Sequence, residues 1–259
     1  MKFIRIITAA LCLSSASAHA APPADYKLVW QDEFKGTQLD LTKWTPQTYK
    51  RDDARLSVSA LTIEKDGLRI HSYTKDGTHY TGFLKSADGF AVTYGYFESR
   101  IRFHGAPAEH CAFWVQSPTI GKVVGDPQHS GVEVDVIEHR VNDAKGKDIS
   151  HLAAFNLHWD GYGADHKRLK SEWISAESLN DIWHTYAVLW TPQEYVYYVD
   201  DVERWRTSTV VSQAPQVLRL TCEIKDSAWA GKIPVGGYGP FEQSPYGMDV
   251  NWVRVWQKP

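Results

Sequence analysis

Apolar and polar residues alternate with a period of two along most of this 259-residue chain. Such alternation is typical of β-strands that bury one face. In residues 184–190, for example, the large side chains fall on one face, and Thr185, Ala187 and Leu189 fall on the other. The pattern recurs in ten segments, at residues 26–34, 56–63, 68–73, 94–103, 132–136, 151–159, 184–190, 195–199, 217–224 and 249–256. It predicts an all-β sandwich, with a helical turn or two only at residues 175–181.

No internal repeat, low-complexity linker or charge block divides the chain after its first twenty residues. A hydrophobic content of 43% with 23% charged residues is ordinary for a globular protein. We therefore predict one domain over residues 21–259. Its first and last strands, near Trp30 and Trp252, are expected to lie close together, because the termini of a closed domain usually meet at its surface.

The first twenty residues have the pattern of a signal peptide. Lys2 and Arg5 precede an apolar run at residues 6–13, and residues 18–20, Ala-His-Ala, form a small-x-small cleavage site. No later stretch approaches the 18 to 20 apolar residues that a transmembrane helix needs. The sequence thus predicts cleavage of residues 1–20, a secreted or periplasmic location, and no membrane association after cleavage.

Charge and cysteine content narrow the function further. Without Lys2 and Arg5, 26 basic residues stand against 31 acidic ones, a net charge of −5 that offers no general attraction for nucleic acid or anionic membranes. Loss of Cys12 with the signal peptide leaves Cys111 and Cys222. They form either one disulfide in an oxidising compartment or two buried thiols, and the sequence leaves both readings open.

The sharpest local feature is a group of three acids, Glu133, Asp135 and Glu138, in a segment rich in Val and Ile. On a regular strand Glu133 and Asp135 share one face, while Glu138 falls on the other. A β-bulge near Val136 and Ile137 would return Glu138 to the acidic face. A helix explains the pattern less well, because it would place Glu133 and Glu138 about 140° apart.

Three carboxylates on one buried strand are costly, because burial and mutual repulsion raise their pKa values. A retaining glycosidase uses such a pair, one carboxylate as nucleophile and one carboxylic acid as proton donor, about 5 to 5.5 Å apart. Glu133 and Glu138 suit that span, with Asp135 between them tuning both charges. Two other readings remain at this point: an exposed strand with alternating acids, or a calcium site built from carboxylate oxygens.

Further segments accompany the acidic motif, at residues 28–34, 39–44, 94–100, 112–114, 183–192 and 249–256. Together with the motif they make the chain resemble glycoside hydrolase family 16 over nearly its whole length after the signal peptide. The resemblance implies a β-jelly-roll sandwich of two curved antiparallel sheets with a concave glycan-binding cleft. It also implies Glu133 as nucleophile, Asp135 as its assistant and Glu138 as acid/base, with no cofactor for catalysis.

The spacing of the three acids resembles the laminarinase, agarase and carrageenase branches of the family. We expect an endo-acting, retaining, monomeric enzyme on a β-linked polysaccharide, foremost a β-1,3-glucan. A β-linked galactan is the second reading, and the net charge of −5 weighs against a sulfated one. A non-catalytic glycan-binding module is the third, although a lectin needs no proton donor opposite a nucleophile.

Aromatic side chains suit a sugar site because pyranose rings present apolar C–H faces to them. Trp114 matches the family position beneath the cleaved bond, and we also expect His158, Trp159 and Trp229 to bind substrate. A core or sheet-filling role is the alternative for any tryptophan. We predict that role for Trp30, Trp44, Trp190, Trp252 and Trp256.

Family members often carry a structural calcium near the first and last strands. Glu33 and Asp249 are the matching acids in this chain, so the resemblance implies a calcium site at these two residues. The alternative is a pair of solvated or capping carboxylates.

Overall fold

A computed structural model of the chain describes residues 22–259. The predicted signal peptide, residues 1–20, lies outside the described residues. Nineteen strands occur in the described part: β1 (Lys27–Asp32), β2 (Trp44–Pro46), β3 (Lys50–Arg51), β4 (Ala54–Leu56), β5 (Leu61–Glu64), β6 (Gly67–His71), β7 (Tyr73–Lys75), β8 (Thr78–Thr81), β9 (Phe83–Ser86), β10 (Gly95–His104), β11 (Glu109–Gln116), β12 (Glu133–His139), β13 (Leu152–Trp159), β14 (Lys167–Ile174), β15 (Trp183–Trp190), β16 (Tyr195–Val199), β17 (Val202–Thr207), β18 (Val217–Ile224) and β19 (Gly247–Gln257).

The strands form two large antiparallel sheets and one small sheet. Sheet A has the order β17-β16-β15-β10-β19-β6-β5, with β1 paired to β19, and sheet B has the order β14-β13-β12-β11-β18-β9-β2. Sheet C is β3-β4-β8-β7, in which β4 and β8 run parallel. The predicted all-β jelly-roll sandwich is confirmed. So is the meeting of the terminal strands, since Gln31 on β1 lies opposite Arg254 on β19.

One hydrophobic core lies between sheets A and B, because alternate residues of each strand point inwards. Sheet A contributes Phe97 and Val188, and sheet B contributes Phe113, Val134 and Phe155, all fully buried. Their burial leaves the other face of β11, β12 and β13 free to carry polar groups. The sandwich therefore presents a polar face of sheet B on which a site can be built.

The five tryptophans predicted to fill the core or the sheets divide into two groups. Trp44 and Trp190 are fully buried and Trp30 packs against the core, as predicted. Trp252 and Trp256 are partly buried on the face of sheet A that points away from the core, where Arg254 stacks on Trp252 with 4.2 Å between the guanidinium carbon and the ring centre.

The helical turn predicted at residues 175–181 is wrong. Ser175 donates its backbone N–H to the carbonyl of His151 (2.9 Å), and Leu179 donates to Ser150 (2.9 Å). These bonds to a neighbouring segment replace the local bonds that a helix would need. The described residues contain only a 3-10 helix, Val58–Ala60, and one α-helical turn, α1 (Pro127–Ser130). Within residues 22–259 no helix has the length and apolar character needed to cross a bilayer.

Candidate active site

A β-bulge on β12 brings the three motif acids to one face of sheet B. On β11, Phe113 lies opposite Ile137 and Trp114 lies opposite Asp135, so Val136 has no opposite residue. The pairing of β12 with β13 shifts at the same place. The extra residue reverses the alternation, as the sequence predicted, and Glu138 joins the acidic face.

The acidic face is the floor of a cleft of about 910 Å³. Strands β11, β12, β13 and β18 supply most of its lining, and Tyr162 and His166 reach it from the connection between β13 and β14. Glu133, Asp135 and Glu138 all line this cleft. The register pairs Glu133 with Gln116 on one side and His158 on the other, so polar neighbours flank the acids.

Glu133 accepts two side-chain hydrogen bonds on one oxygen. The amide nitrogen of Gln116 lies 2.6 Å from its Oε2, and the hydroxyl of Tyr162 donates to the same atom. Burial raises the pKa of Glu133 to about 7, although these hydrogen bonds act in the opposite direction. The carboxyl group therefore titrates near neutral pH while its geometry favours the ionised form.

Asp135 is the most deeply buried of the three acids, 3% exposed. Burial raises its pKa well above the usual range, and the charges of Glu138 and Glu133 raise it further. Its Oδ2 lies 3.4 Å from Nε2 of His158. Ligand atoms of Glu133, Asp135 and His158 lie within 4.8 Å of one another, close enough to bind a cation. A proton on Asp135, like a bound cation, would reduce the electrostatic repulsion between the three acids.

Glu138 has a donor on each carboxylate oxygen. Nε2 of His110 lies 2.9 Å from Oε1, and the side-chain amide of Asn156 donates to Oε2. Burial alone would raise the pKa of Glu138, but the charge and hydrogen bond of His110 lower it, and the charge of His158 adds to this effect. The arrangement stabilises an ionised Glu138 in the protein without substrate.

Comparison with known proteins identifies the family. The model of the GH16 domain of β-porphyranases A–D matches residues 28–258. The chain belongs to glycoside hydrolase family 16. The resemblance stated from the sequence and the expectation of a glycoside hydrolase are thereby confirmed.

Individual relatives differ in what they act on. A keratan-sulfate endo-1,4-β-galactosidase of Sphingobacterium multivorum is 24% identical over 94% of this chain and 58% of its own length. A glucan endo-1,3-β-glucosidase A1 of Niallia circulans is 25% identical over 91% of this chain and 38% of its own length. The chain thus spans less than two thirds of either relative. Porphyranase B of Zobellia galactanivorans has the same fold, with a TM-score of 0.71 at 23% identity over 90% of this chain and 92% of that one.

Trp114 lies on the cleft side of this family 16 domain, as the sequence predicted. Its indole nitrogen donates to the hydroxyl of Thr221 (3.1 Å), and its side chain is 5% exposed. The guanidinium of Arg219 stacks on the ring, with 4.6 Å between the guanidinium carbon and the ring centre. A sugar that uses Trp114 as a platform would therefore share the ring with Arg219.

The other three predicted substrate-binding residues have different outcomes. His158 lines the cleft, with its Nδ1 2.8 Å from Nε2 of His166, and Trp229 lines the end of the cleft near His110. The expectation for Trp159 is wrong, because Trp159 packs against the core. Adjacent residues of a strand point to opposite faces, so His158 and Trp159 cannot both face the cleft.

Several cleft residues have no signal in the sequence taken by itself. Gln116, Asn156 and His110 contact the acids only because β11 and β13 flank β12. Tyr162 reaches Glu133 from a loop, and Arg219 comes from β18, more than eighty residues away along the chain. Once the strand register is known, alternation from Trp114 and Glu133 identifies the strand residues among them.

The structure joins Cys111 and Cys222 in a disulfide, with their Cα atoms 4.1 Å apart. The two residues are direct partners across β11 and β18. The sequence left open either one disulfide or two buried thiols, and the structure has the disulfide. The bridge ties together the two strands that carry Trp114 and Arg219.

The calcium site implied for Glu33 and Asp249 does not fit the structure. Arg254 donates to both oxygens of Glu33, at 2.7 and 3.1 Å. Asp249 accepts from Arg69 (2.7 Å) and Arg102 (2.6 Å) and lies 3.0 Å from Nε2 of His104. Calcium takes six to eight oxygen ligands. These carboxylates are instead neutralised by cationic side chains, so the calcium expectation is corrected to two separate ion-pair groups.

Proposed function

We propose that the chain is an endo-acting, retaining hydrolase of a β-linked galactan that carries anionic substituents such as sulfate esters. The observation that carries the proposal is a set of three guanidinium groups lining the cleft, those of Arg140, Arg168 and Arg219. None of them has a carboxylate within ion-pair distance among residues 22–259. A neutral glucan offers such groups no charged partner, whereas arginine forms strong paired hydrogen bonds with sulfate-like oxyanions.

Arg219 is the best placed of the three cations. It lies opposite Trp114 in the pairing of β11 with β18, and its Nε is buried without a hydrogen-bond partner in the described part of the chain. A buried, unpaired donor costs free energy unless a ligand satisfies it. We therefore expect a sugar on Trp114 to direct an anionic substituent towards Arg219.

The local charge of the cleft differs from that of the whole chain. Six lysine and arginine residues line the cleft, against two acids besides the three of the motif. The net charge of −5 by itself weighs against a sulfated substrate, but the charges that line a cleft determine the potential inside it. The similarity to β-porphyranases and to a keratan-sulfate endo-1,4-β-galactosidase supports the same substrate class.

The proposed chemistry assigns one role to each motif acid. Ionised Glu133 attacks the anomeric carbon, and Glu138 supplies a proton to the departing glycosidic oxygen. Glu138 then takes a proton from the water that hydrolyses the glycosyl-enzyme, which gives net retention. Asp135, protonated between them, removes a negative charge that would oppose the ionisation of Glu133.

A panel of polysaccharides tests the substrate class. Release of reducing ends is measured with porphyran, keratan sulfate, carrageenan, agarose, laminarin and lichenan, together with chemically desulfated forms of the sulfated galactans. We expect the highest kcat/KM on a sulfated galactan and a clear loss on its desulfated form. Preference for laminarin would restore the β-1,3-glucan reading, and binding without any cleavage would favour a glycan-binding module.

Two matched arginine variants separate recognition from packing. Arg219→Gln removes the guanidinium stacked on Trp114, and Arg100→Gln removes one stacked 4.9 Å from Trp183 on sheet A. We expect Arg219→Gln to lower kcat/KM on the sulfated galactan about tenfold or more while changing the rate on its desulfated form little. Equal losses on both forms would count against anion recognition. Arg100→Gln should change kcat/KM on neither the sulfated galactan nor its desulfated form.

A further inference from the structure

The proposed function requires a proton at Glu138, yet the structure surrounds that carboxylate with donors. His110 and Asn156 each contact one carboxylate oxygen, and both contacts stabilise the ionised form of Glu138. The side chains of His110 and Glu138 are 13% and 17% exposed, so bulk water is a poor substitute for a resident donor. The proton must therefore be stored on a neighbouring group.

We infer that His110 is a positioning residue that acts through Glu138. It stores the catalytic proton on its Nε2 and delivers that proton to the substrate through Glu138. The 2.9 Å contact between Nε2 and Oε1 is a direct path for that proton. The inference rests on the proposed function, because it assumes that Glu138 is the acid/base. It adds His110 as a fourth titratable group beside the three acids of the motif.

The charges around His110 favour its protonated form. Glu138 faces it from β12, and Glu223 lies opposite it on β18, while Arg140 at the end of β12 acts against it. Burial lowers the pKa of His110, but the charge and hydrogen bond of Glu138 outweigh it and leave the pKa above the usual range. Lys225, near Trp229 at the same end of the cleft, is paired with Asp52 at 3.0 Å.

Charged groups in the cleft also act on Glu138, the partner of His110. Glu133 and Asp135 repel the ionised form of Glu138, and His158 and Arg140 stabilise it. A sugar bound over these groups would exclude water from the pair. Loss of water favours a neutral imidazole and a neutral carboxylic acid over an ion pair, so binding would move the proton from Nε2 to Glu138.

The second nitrogen of His110 explains why the proton can leave. Nδ1 is buried and has no hydrogen-bond partner within residues 22–259. In contrast, His104 lies between two carboxylates, with Nδ1 2.6 Å from Asp181 and Nε2 3.0 Å from Asp249. His110 has one carboxylate contact, whereas His104 has two.

Each group returns to its starting protonation state at the end of the proposed cycle. In the first half, Glu133 forms a bond to the anomeric carbon as the C–O bond breaks. The proton from Nε2 passes to Glu138 and on to the leaving oxygen, which leaves neutral His110 and ionised Glu138. In the second half, water attacks the anomeric carbon, its proton goes to Glu138, and Nε2 of His110 takes it back as the ester to Glu133 breaks.

Nitrogen NMR of the histidine rings tests the stored proton without substrate. The protein is labelled with ¹⁵N-histidine, and the His110 signals are assigned by their loss in His110→Gln. We expect His110 to be an imidazolium at pH 6.5, and Glu138→Gln to lower its titration midpoint by at least about one pH unit. A neutral His110 at pH 6.5, or a midpoint that Glu138→Gln leaves unmoved, would overturn the inference.

Kinetics on a cleaved polysaccharide test the delivery. His110→Gln keeps a donor towards Glu138 but cannot carry a proton, so we expect kcat to fall about 100-fold. The basic limb of the kcat/KM profile should move to lower pH, because an unperturbed Glu titrates about two units below an unperturbed His. An unchanged profile would refute the role of His110.

A matched control and the NMR result distinguish failure of the proposed function from failure of the inference about His110. His184 at the start of β15 lies 2.6 Å from Asp200, in the turn after β16. His184→Gln breaks this other histidine–carboxylate contact and should leave the pH profile unchanged. If no polysaccharide is cleaved, the proposed function fails whatever the NMR shows. If cleavage persists while the titration of His110 is independent of Glu138, only the inference about His110 fails.

Discussion

The disulfide between Cys111 and Cys222 should make a large and measurable contribution to stability. Removing it with Cys111→Ala and Cys222→Ala frees a loop with a sequence separation of 111 residues. The chain-entropy relation for a loop of that length gives about 4.8 kcal/mol at 25 °C, and measured bridges usually give about 2 to 4 kcal/mol. For a domain of this size each kcal/mol corresponds to roughly 2 to 4 °C in Tm. We therefore expect Tm to fall by about 10 °C.

The assay is thermal unfolding of the wild-type domain and the double variant, each with and without reductant. The same wild-type chain with and without reductant isolates the bridge from any effect of the new side chains. The double variant should not respond to reductant at all. Before these scans, alkylation of the unreduced, denatured protein followed by mass spectrometry should find neither Cys111 nor Cys222 modified.

Two results would refute the reasoning about the bridge. If both cysteines are alkylated without reduction, they are free thiols. If the bridge is present but reductant moves Tm by less than about 2 °C, the unfolded chain is already compact in this region and loop entropy does not explain the stability. Activity measured in parallel shows whether the β11–β18 pairing also matters to the cleft.

Four further predictions can be tested with standard measurements. Glu133→Ala should abolish turnover even of an aryl glycoside with a good leaving group. Glu138→Ala should instead accumulate the glycosyl-enzyme, and azide should restore turnover and give the β-glycosyl azide. An α-configured first product from the wild type, seen by proton NMR, would exclude retention. Trp114→Ala should lower the kcat of the folded protein about 100-fold, and it should also lower Tm because the side chain is only 5% exposed. A lower Tm with a normal kcat would instead make Trp114 a purely structural residue. Asp249→Asn should lower the free energy of unfolding at pH 7 by about 3 kcal/mol; because the folded pKa of Asp249 is lowered from 3.8, this difference should shrink in unfolding curves recorded below about pH 4. N-terminal mass analysis of the exported protein should find residues 1–20 removed, and an intact N-terminus would contradict the signal-peptide prediction.

The sequence predicted the features that depend on local pattern. Alternation of apolar residues identified most of the long strands, although β11, β14 and β17 lie outside the ten predicted segments. A bulge was predicted to bring Glu138 to the face of Glu133 and Asp135, and the register around Val136 confirms it. The short strands of sheet C were not predicted, because pairs and triplets of residues such as Lys50–Arg51 carry no periodic signal. The helical turn at residues 175–181 failed because a neighbouring segment supplied its hydrogen bonds.

The tertiary structure decided which polar groups surround the acids. Alternation places Trp114 on one face of β11, but only the pairing of β11 with β18 puts Arg219 on its ring and His110 beside Glu223. The calcium expectation failed for the same reason, since the arginines that neutralise Asp249 come from other strands. Sequence periodicity determines which face a side chain occupies, whereas strand register determines its neighbours, and the pKa values in the cleft depend on those neighbours.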